Sequence, residues 1–480
     1  MNIFSFATIV FWFSISPSFL TASVKPENKD SPPNIVIIFT DDQGWGDLSC
    51  YGSEEIPTPN IDRLAQEGKK FTHFYTSQPV CSAARASLLT GCYANRVSIS
   101  GALAPSSKIG LHPDELTIAE VVKPLGYATA CYGKWHLGHH PQFLPTAQGF
   151  DEYCGIPYSN DMWPGHPESP KAWPPLPWYE QDKPARIIEN LDDQETITAE
   201  LTRRAVDFID RNSDSPFLLY VPHSMPHVPL ATTPKFRQTS RFGPYGDVIR
   251  EIDDSVGQIV TALEKHKILD ETLVIFTSDN GPWLSYGDNA GTTGGLREGK
   301  GTTFEGGVRV PFVARYPKLI PAGIVSSTQC MTIDILPTIV ELTGGKAPEK
   351  KIDGISLVPI LQTQDSMNFS SRPLFFWYHR VHLEAMRWEK WKLHFPHNYR
   401  SLEDRKPGNN GIPAKYNYQI KQSMALYDLS NDPGETIDLS EQYPEVLKSM
   451  QEMAEKARKE LGDRLTKVEG AEVRLPGSID

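Results

Sequence analysis

The segments NIVIIFTDD (34–42) and TLVIFTSDN (272–280) constrain this chain more than any other feature. Each is a run of apolar, largely β-branched residues that stops at adjacent acid or amide side chains. A strand with one face in water alternates apolar and polar residues. An unbroken apolar run instead suits burial on both faces, as in a mainly parallel sheet covered by helices. Ligands of such sheets bind beyond the carboxyl ends of the strands. Asp41, Asp42, Asp279 and Asn280 are therefore expected at one edge of one sheet.

Helical patterns fall between these runs. TPNIDRLAQEG (58–68) has Thr58 as cap, Pro59 at the first position, Ile61, Leu64 and Ala65 on one face, and Gly68 as its stop. Ile197, Leu201, Ala205 and Phe208 form a second apolar stripe, and Val248, Ile252, Val256, Ile259 and Leu263 a third. Strands alternating with helices predict an α/β fold. Beyond about residue 375 the texture changes to short aromatic strands (PLFFWYH, WKLHF, ALYDLS) and a last helix near 444–461. That tail predicts a small antiparallel sheet with a helix against it. The expected organisation is a leader at 1–22, a main domain at 23–375 and an α+β subdomain at 376–480.

The 480 residues carry a net charge of -12, which argues against a general nucleic-acid binder. An anionic substrate would need a local basic pocket. Residues 1–22 hold no charged side chain, and IFSFATIVFWF followed by LTA before Ser23 reads as a cleaved secretory signal peptide. No later stretch is apolar for long enough to span a membrane, so no stable insertion is expected after cleavage and the mature protein should be periplasmic or secreted. The six cysteines (50, 81, 92, 131, 154 and 330) lack CxxC spacing, which gives no sign of a zinc or redox motif and leaves a disulfide or two open.

Several stretches could carry chemistry. Asp41, Asp42, Asp279 and Asn280 offer only oxygen ligands, which suit Ca2+ or Mg2+ rather than zinc; singly, each pair is also ordinary strand-end turn chemistry. CSAARASLLTG (81–91) predicts a short helix with Leu88 and Leu89 buried and Gly91 at its end. Arg85 lies one turn after Cys81 on the same face, and the helix N-terminus would stabilise an oxyanion there. A half-buried cysteine beside a surface arginine is the alternative. In YATACYGKWHLG (127–138), Lys134 and His136 are two apart and face the same way if the chain is extended. FLLYVPHSMPHVP (217–229) leaves a buried strand into His223 and His227. GGLREGKGTTFEGG (294–307) nearly spells a phosphate loop, but Gly301 replaces the Ser or Thr needed for Mg2+, so Lys300 remains as a cation on a glycine turn.

Together these pieces resemble the type I, formylglycine-dependent sulfatases of the alkaline-phosphatase-like superfamily. CSAARASLLTG is similar to that family's maturation signature, and NIVIIFTDDQGWGD, GYATACYGKWHLG, QGFDEYCGIPYSND, VIFTSDNGP and GKGTTFEGGVRVP follow in the family's order. The last three look closest to the arylsulfatase A and galactosamine-6-sulfatase branch. The resemblance implies a large mixed, mostly parallel sheet sandwiched by helices. It implies that Cys81 is oxidised by a maturation enzyme to Cα-formylglycine, whose hydrate is the nucleophile, with Arg85 steadying it. Asp41, Asp42, Asp279 and Asn280 would hold one Ca2+ with residue 81. Lys134 and Lys300 would grip sulfate, His136 would assist the diol, and His227 would protonate the leaving oxygen, with His223 as second candidate. Ser159 matches a polar site residue of the arylsulfatase A branch. Ala83 stands where proline is commonest in the signature.

Trp163, Trp173, Trp178 and Tyr179 lie in one proline-rich stretch near the expected site, so a sulfated saccharide stacking on them is an expectation, beside a plain covering loop. Two rival readings are a phosphatase or phosphodiesterase on the same scaffold and a non-catalytic glycan-binding relative.

Overall fold

In the computed structural model the two apolar runs lie side by side. Strand Asn34–Thr40 pairs in parallel with Thr272–Ser278, in register from Asn34↔Thr272 to Thr40↔Ser278, and on its other edge with Phe217–Pro222. The structure describes Met1 and residues 32–363 and 372–479; the expected leader at 2–22 lies outside the described residues.

The eleven-stranded sheet runs, edge to edge, 324–326, 69–75, 309–315, 272–278, 34–40, 217–222, 128–132, 152–155, 176–180 and 183–188, with 330–331 also on 69–75. The stretch from 272–278 to 152–155 is parallel, 309–315 and 176–180 run against it, and 183–188 turns back to run with it. Pleating sends alternate residues to opposite faces. Ile35, Ile37 and Phe39 pack with Leu88, Leu336 and Ile339 of the helices on one side. Val36 and Ile38 pack with Ile61, Leu201, Phe208 and Ile252 on the other. Burying each such side chain contributes about 1.5–3 kcal/mol, which is why the runs must lie inside.

One helix start departs from expectation. The Thr58 hydroxyl accepts from Ser49 N–H and donates to Asp62, rather than capping Pro59–Glu67. The helix's free N–H groups at Asn60 and Ile61 instead donate to the carboxylate of Asp253, on helix Gly243–Lys265, at 3.1 and 2.9 Å. A partner helix can thus supply a cap that local sequence does not reveal.

The C-terminal sheet is antiparallel in the order 374–378, 382–388, 391–394, 425–428, and helix Pro444–Leu461 covers it through Met450, Ala454 and Leu461. Its core is continuous with Tyr75, Val308 and Met331 of the large sheet region, and residues 32–480 form one compact unit. A buried charged knot adds to that join. Lys392 Nζ donates to Glu305 at 2.9 Å and lies 3.3 Å from Glu435, which accepts from His394 Nε2 at 2.8 Å and from the Glu305 N–H at 2.6 Å. All six cysteines are unpaired. Among the described residues no helix is long and apolar enough to cross a membrane.

Candidate active site

The flush register of the central strands delivers their first loop residues to one edge. Asp41 and Asp42 follow Thr40, and Asp279 and Asn280 follow its partner Ser278. Asp42 adopts a left-handed φ of 63°, and its N–H donates to Asp279 Oδ1 at 3.1 Å. Lys134 is brought in by its own N–H, which donates to the Pro222 carbonyl at 2.7 Å where the neighbouring strand ends.

Cys81 is the first residue of helix Cys81–Thr90, and the helix spacing works as expected. Arg85, one turn on, is fully buried and donates to Asp41 at 2.7 Å, to Asp279 at 3.1 Å and to the Lys134 carbonyl at 2.8 Å. Cys81 Sγ lies 3.8 Å from Asp41 Oδ1 and 3.7 Å from Lys300 Nζ. Lys134 Nζ is 2.5 Å from Asp41 and donates to Ser159 Oγ at 3.0 Å. Lys300 Nζ is 2.8 Å from Asp42 and 4.4 Å from the centre of the Trp283 ring. Its turn is fastened by Lys300 N–H to Pro282 O and Gly301 N–H to Pro79 O, each 2.9 Å.

The histidines divide. His227 Nδ1 donates to the Val228 carbonyl at 2.7 Å, so Nε2 faces the cluster, 3.5 Å from Ser159 Oγ and 3.6 Å from Asp42. His223 Nε2 is instead 3.4 Å from Ser255 Oγ on helix Gly243–Lys265, under the sheet edge, and is not brought to the carboxylates. His136 sits at a left-handed φ of 61°, so the turn is not extended and the expected alternation with Lys134 fails there. Its Nε2 donates to the Leu103 carbonyl at 2.9 Å while Nδ1 is buried without a partner.

Burial and opposed charges set the protonation states. Burial pushes the Cys81 thiol up to about 12, although Lys134 and Lys300 pull the other way. Burial alone would raise Asp41, but Lys134 and Arg85 outweigh it and hold Asp41 well below the usual carboxylate range. Asp279 shares the same guanidinium and is displaced upward, by burial and then by Asp41. Burial, then Lys300, lowers His227.

The donor set fits a hard divalent cation. Ligand atoms of Asp41, Asp42, Cys81 and His227 lie within 4.8 Å of one another, and Asn280 Oδ1 is buried there without a hydrogen-bond partner.

Two residues at this site escaped the sequence reading. Trp283, three positions after Asn280, flanks both Lys300 and the His227 ring, 5.5 Å between centroids; its nearness to a strand-end acid pair was the available signal. Arg400 donates through Nε (3.0 Å) and Nη2 to the Lys300 carbonyl from a distant hairpin, which no local pattern foretells. The aromatic stretch is a correction. Trp163 and Trp178 are 4% and 1% exposed and Trp173 packs against the same core, while Tyr179 packs against the opposite one. The faces of Trp163 and Trp178 are spent on protein, so these two offer no sugar platform, while Trp173 and Tyr179 are half-buried.

His223 provides a check on its structural role. Burial lowers it from 6.5 to about 4, so the unfolded chain takes up a proton before the fold does as pH falls. Stability from this group is complete above about 6.5 and declines towards pH 4, by about 3 kcal/mol. The difference in urea-unfolding free energy between wild type and His223→Gln, followed from pH 7 to 4, is expected to show that slope, with turnover retained. A pH-independent difference would contradict it.

The family model described as "Sulfatase" matches residues 33–345, that for the "C-terminal region of aryl-sulfatase" matches 370–473, and that for "N-sulphoglucosamine sulphohydrolase, C-terminal" matches 299–404. Human arylsulfatase A is 38% identical over 88% of this chain and 87% of its own. Human N-acetylgalactosamine-6-sulfatase is 37% identical over 85% of this chain and 82% of its own. The crystal structure of Ps i-CgsB in complex with k-i-k-neocarrahexaose superposes with a TM-score of 0.74 at 29% identity, covering 89% of this chain and 92% of that one.

Proposed function

Since this chain belongs to the sulfatase family and is a sulfuric ester hydrolase, we propose that it removes sulfate from a sulfated saccharide, using residue 81 in oxidised form and one calcium ion. The observation that carries the proposal is the setting of Cys81. A thiol pushed up to about 12 is not a thiolate at neutral pH, and it lies between a lysine and a carboxylate rather than beside a free base. That setting gives an ordinary cysteine nothing to do. Once a maturation enzyme has oxidised it to Cα-formylglycine, the hydrate supplies one hydroxyl to attack sulfur and a second through which sulfate is later expelled.

The remaining roles belong to the chain's own side chains. Lys134 and Lys300 neutralise charge on the sulfate oxygens, and Ser159 orients Lys134. Arg85 anchors Asp41 and Asp279 on the nucleophile's own helix. His227, with Nδ1 committed to Val228, holds the proton for the leaving oxygen at Nε2, and positioned acid catalysis of this kind contributes about 10²–10⁴-fold. His136, with Nε2 held by the Leu103 carbonyl, would serve the diol through Nδ1, its nitrogen without a partner. Asp41, Asp42, Asp279 and Asn280 would hold the calcium, which would supply further positive charge for an anionic substrate.

A saccharide substrate is supported by the names of two similar proteins, one an N-acetylgalactosamine-6-sulfatase and one solved with a neocarrahexaose. A two-zinc phosphatase would need more nitrogen ligands than His227 alone among the clustered groups. A mere glycan binder would have no use for Cys81. With the 1–22 leader, a periplasmic or secreted enzyme follows.

The test pairs mass spectrometry of the peptide containing residue 81 with turnover of an aryl sulfate and its phosphate analogue. The expected result is formylglycine or its hydrate, and sulfate preferred at least about 100-fold. An unmodified thiol in active protein, or preference for phosphate, would refute the proposal.

A further inference from the structure

Two hollows open beside the Cys81 turn. The first, of about 870 Å³, is floored by the hairpin His397–Ser401 and Asn417–Gln422. It reaches the site at two points. Gly301 follows Lys300 and is hydrogen-bonded to Pro79. Tyr378 packs on Val80 and Ala83, which flank Cys81. The second hollow, of about 1010 Å³, contains Ser100, Arg380, Arg464 and Lys467. Between them runs the turn His379–Val381, three successive non-glycine residues at φ 42°, 65° and 71°. Strain of this kind persists where the surrounding structure holds it for a purpose.

The charge of the first hollow stands against that of the chain. Net charge is -12, yet no Asp or Glu lines this wall, which carries Arg400, Lys421, His379 and His382 beside Tyr378 and Tyr418. Among the described residues Lys421, Arg380 and Lys467 form no ion pair, and Tyr418 is 59% exposed. In the second hollow the carboxylates are Asp463, already bound to Arg458 at 2.8 Å, and Glu469. Exposed phenol faces suit sugar rings, and unpaired cations suit their sulfate or carboxylate groups.

We infer that this groove binds the neighbouring units of an anionic oligosaccharide whose scissile sulfate lies at residue 81. The substrate class is then a polyanionic glycan chain rather than an isolated sulfated monosaccharide. This inference rests on the sulfatase reading above. The hollow meets the site at Gly301, next to Lys300, and at Tyr378, which packs on the residues flanking Cys81.

The double variant Tyr418→Ala/Lys421→Glu tests it, both residues lying on an exposed hairpin strand. Probes are hexasaccharides from chondroitin sulfate and from carrageenan, with an aryl sulfate as reference. Wild type is expected to favour at least one hexasaccharide over the matching disaccharide. The variant should lose about tenfold or more in kcat/KM on it, with a weaker salt dependence, while aryl sulfate turnover and thermal unfolding stay within about twofold and 2 °C of wild type. Equal loss on both substrate types, or no loss on a hexasaccharide, overturns the inference. Calorimetric binding of the same hexasaccharides reads the groove without turnover. Wild type that hydrolyses aryl sulfate but binds no hexasaccharide overturns the groove alone, whereas wild type that binds but hydrolyses nothing overturns the sulfatase reading alone.

Discussion

Cys81→Ser is expected to yield a folded protein that releases at most one equivalent of alcohol per chain and then stops. The site should accept the smaller side chain, because the Sγ of buried residue 81 lies 3.7 and 3.8 Å from Lys300 Nζ and Asp41 Oδ1, polar atoms that a hydroxyl can also bond. A serine hydroxyl presented to Lys134 and Lys300 can attack a bound sulfate ester. It then carries a serine sulfate with no second hydroxyl on the same carbon, so nothing expels the sulfate. Steady-state turnover should fall at least about 10⁴-fold, the scale of losing a nucleophile that acts as one unit with its neighbours. A rapid-mixing burst assay with intact-mass analysis reads both outcomes. Sustained turnover at near wild-type rate would show that residue 81 needs no oxidation and would remove the basis of the proposed chemistry.

Asp41→Ala should be the most damaging single change for stability at the site. The Asp41 carboxylate is wholly buried, 2.5 Å from Lys134 Nζ and 2.7 Å from Arg85 Nη2. Its removal leaves two buried cations sharing what Asp279 can offer. Breaking a buried pair in this way costs about 3–5 kcal/mol, which for a unit of this size corresponds to a fall in Tm of about 3–5 °C. Calcium should raise Tm of the wild type with a chelator-reversible, concentration-dependent shift, and should leave the variant unmoved. Differential scanning calorimetry with and without calcium measures all three terms. Unchanged Tm, an unchanged calcium response and intact turnover in the variant would mean that Asp41 is only a strand-end residue.

How much was legible beforehand follows from where the information lies. The two apolar runs announced a doubly covered sheet because nothing else tolerates such sequences in water, and the acids after them had to share an edge. The cysteine–arginine spacing was likewise local, since one helical turn fixes it. His223 and His227 could not be separated by spacing, because a bend after Pro222 sends one ring towards Ser255 and the other towards Asp42. Trp163 and Trp178 were misplaced because a proline-rich aromatic stretch has the same composition whether its rings face a ligand or a core. Arg400 was invisible because its partner, the Lys300 carbonyl, lies 100 positions away.

The knot of Lys392, Glu305, Glu435 and His394 carries a consequence for how such a protein can be inherited or cut. Its acids come from both regions, and Glu305 sits five residues after Lys300 on the same loop. A gene shortened before residue 390 would encode the whole parallel sheet and yet remove Lys392, leaving buried Glu305 with only the longer ion pair to Arg309 at 3.5 Å and loosening the turn that aims the lysine. The tail is thus part of the catalyst's scaffold, and shuffling or trimming it independently of the front half should seldom give a working enzyme.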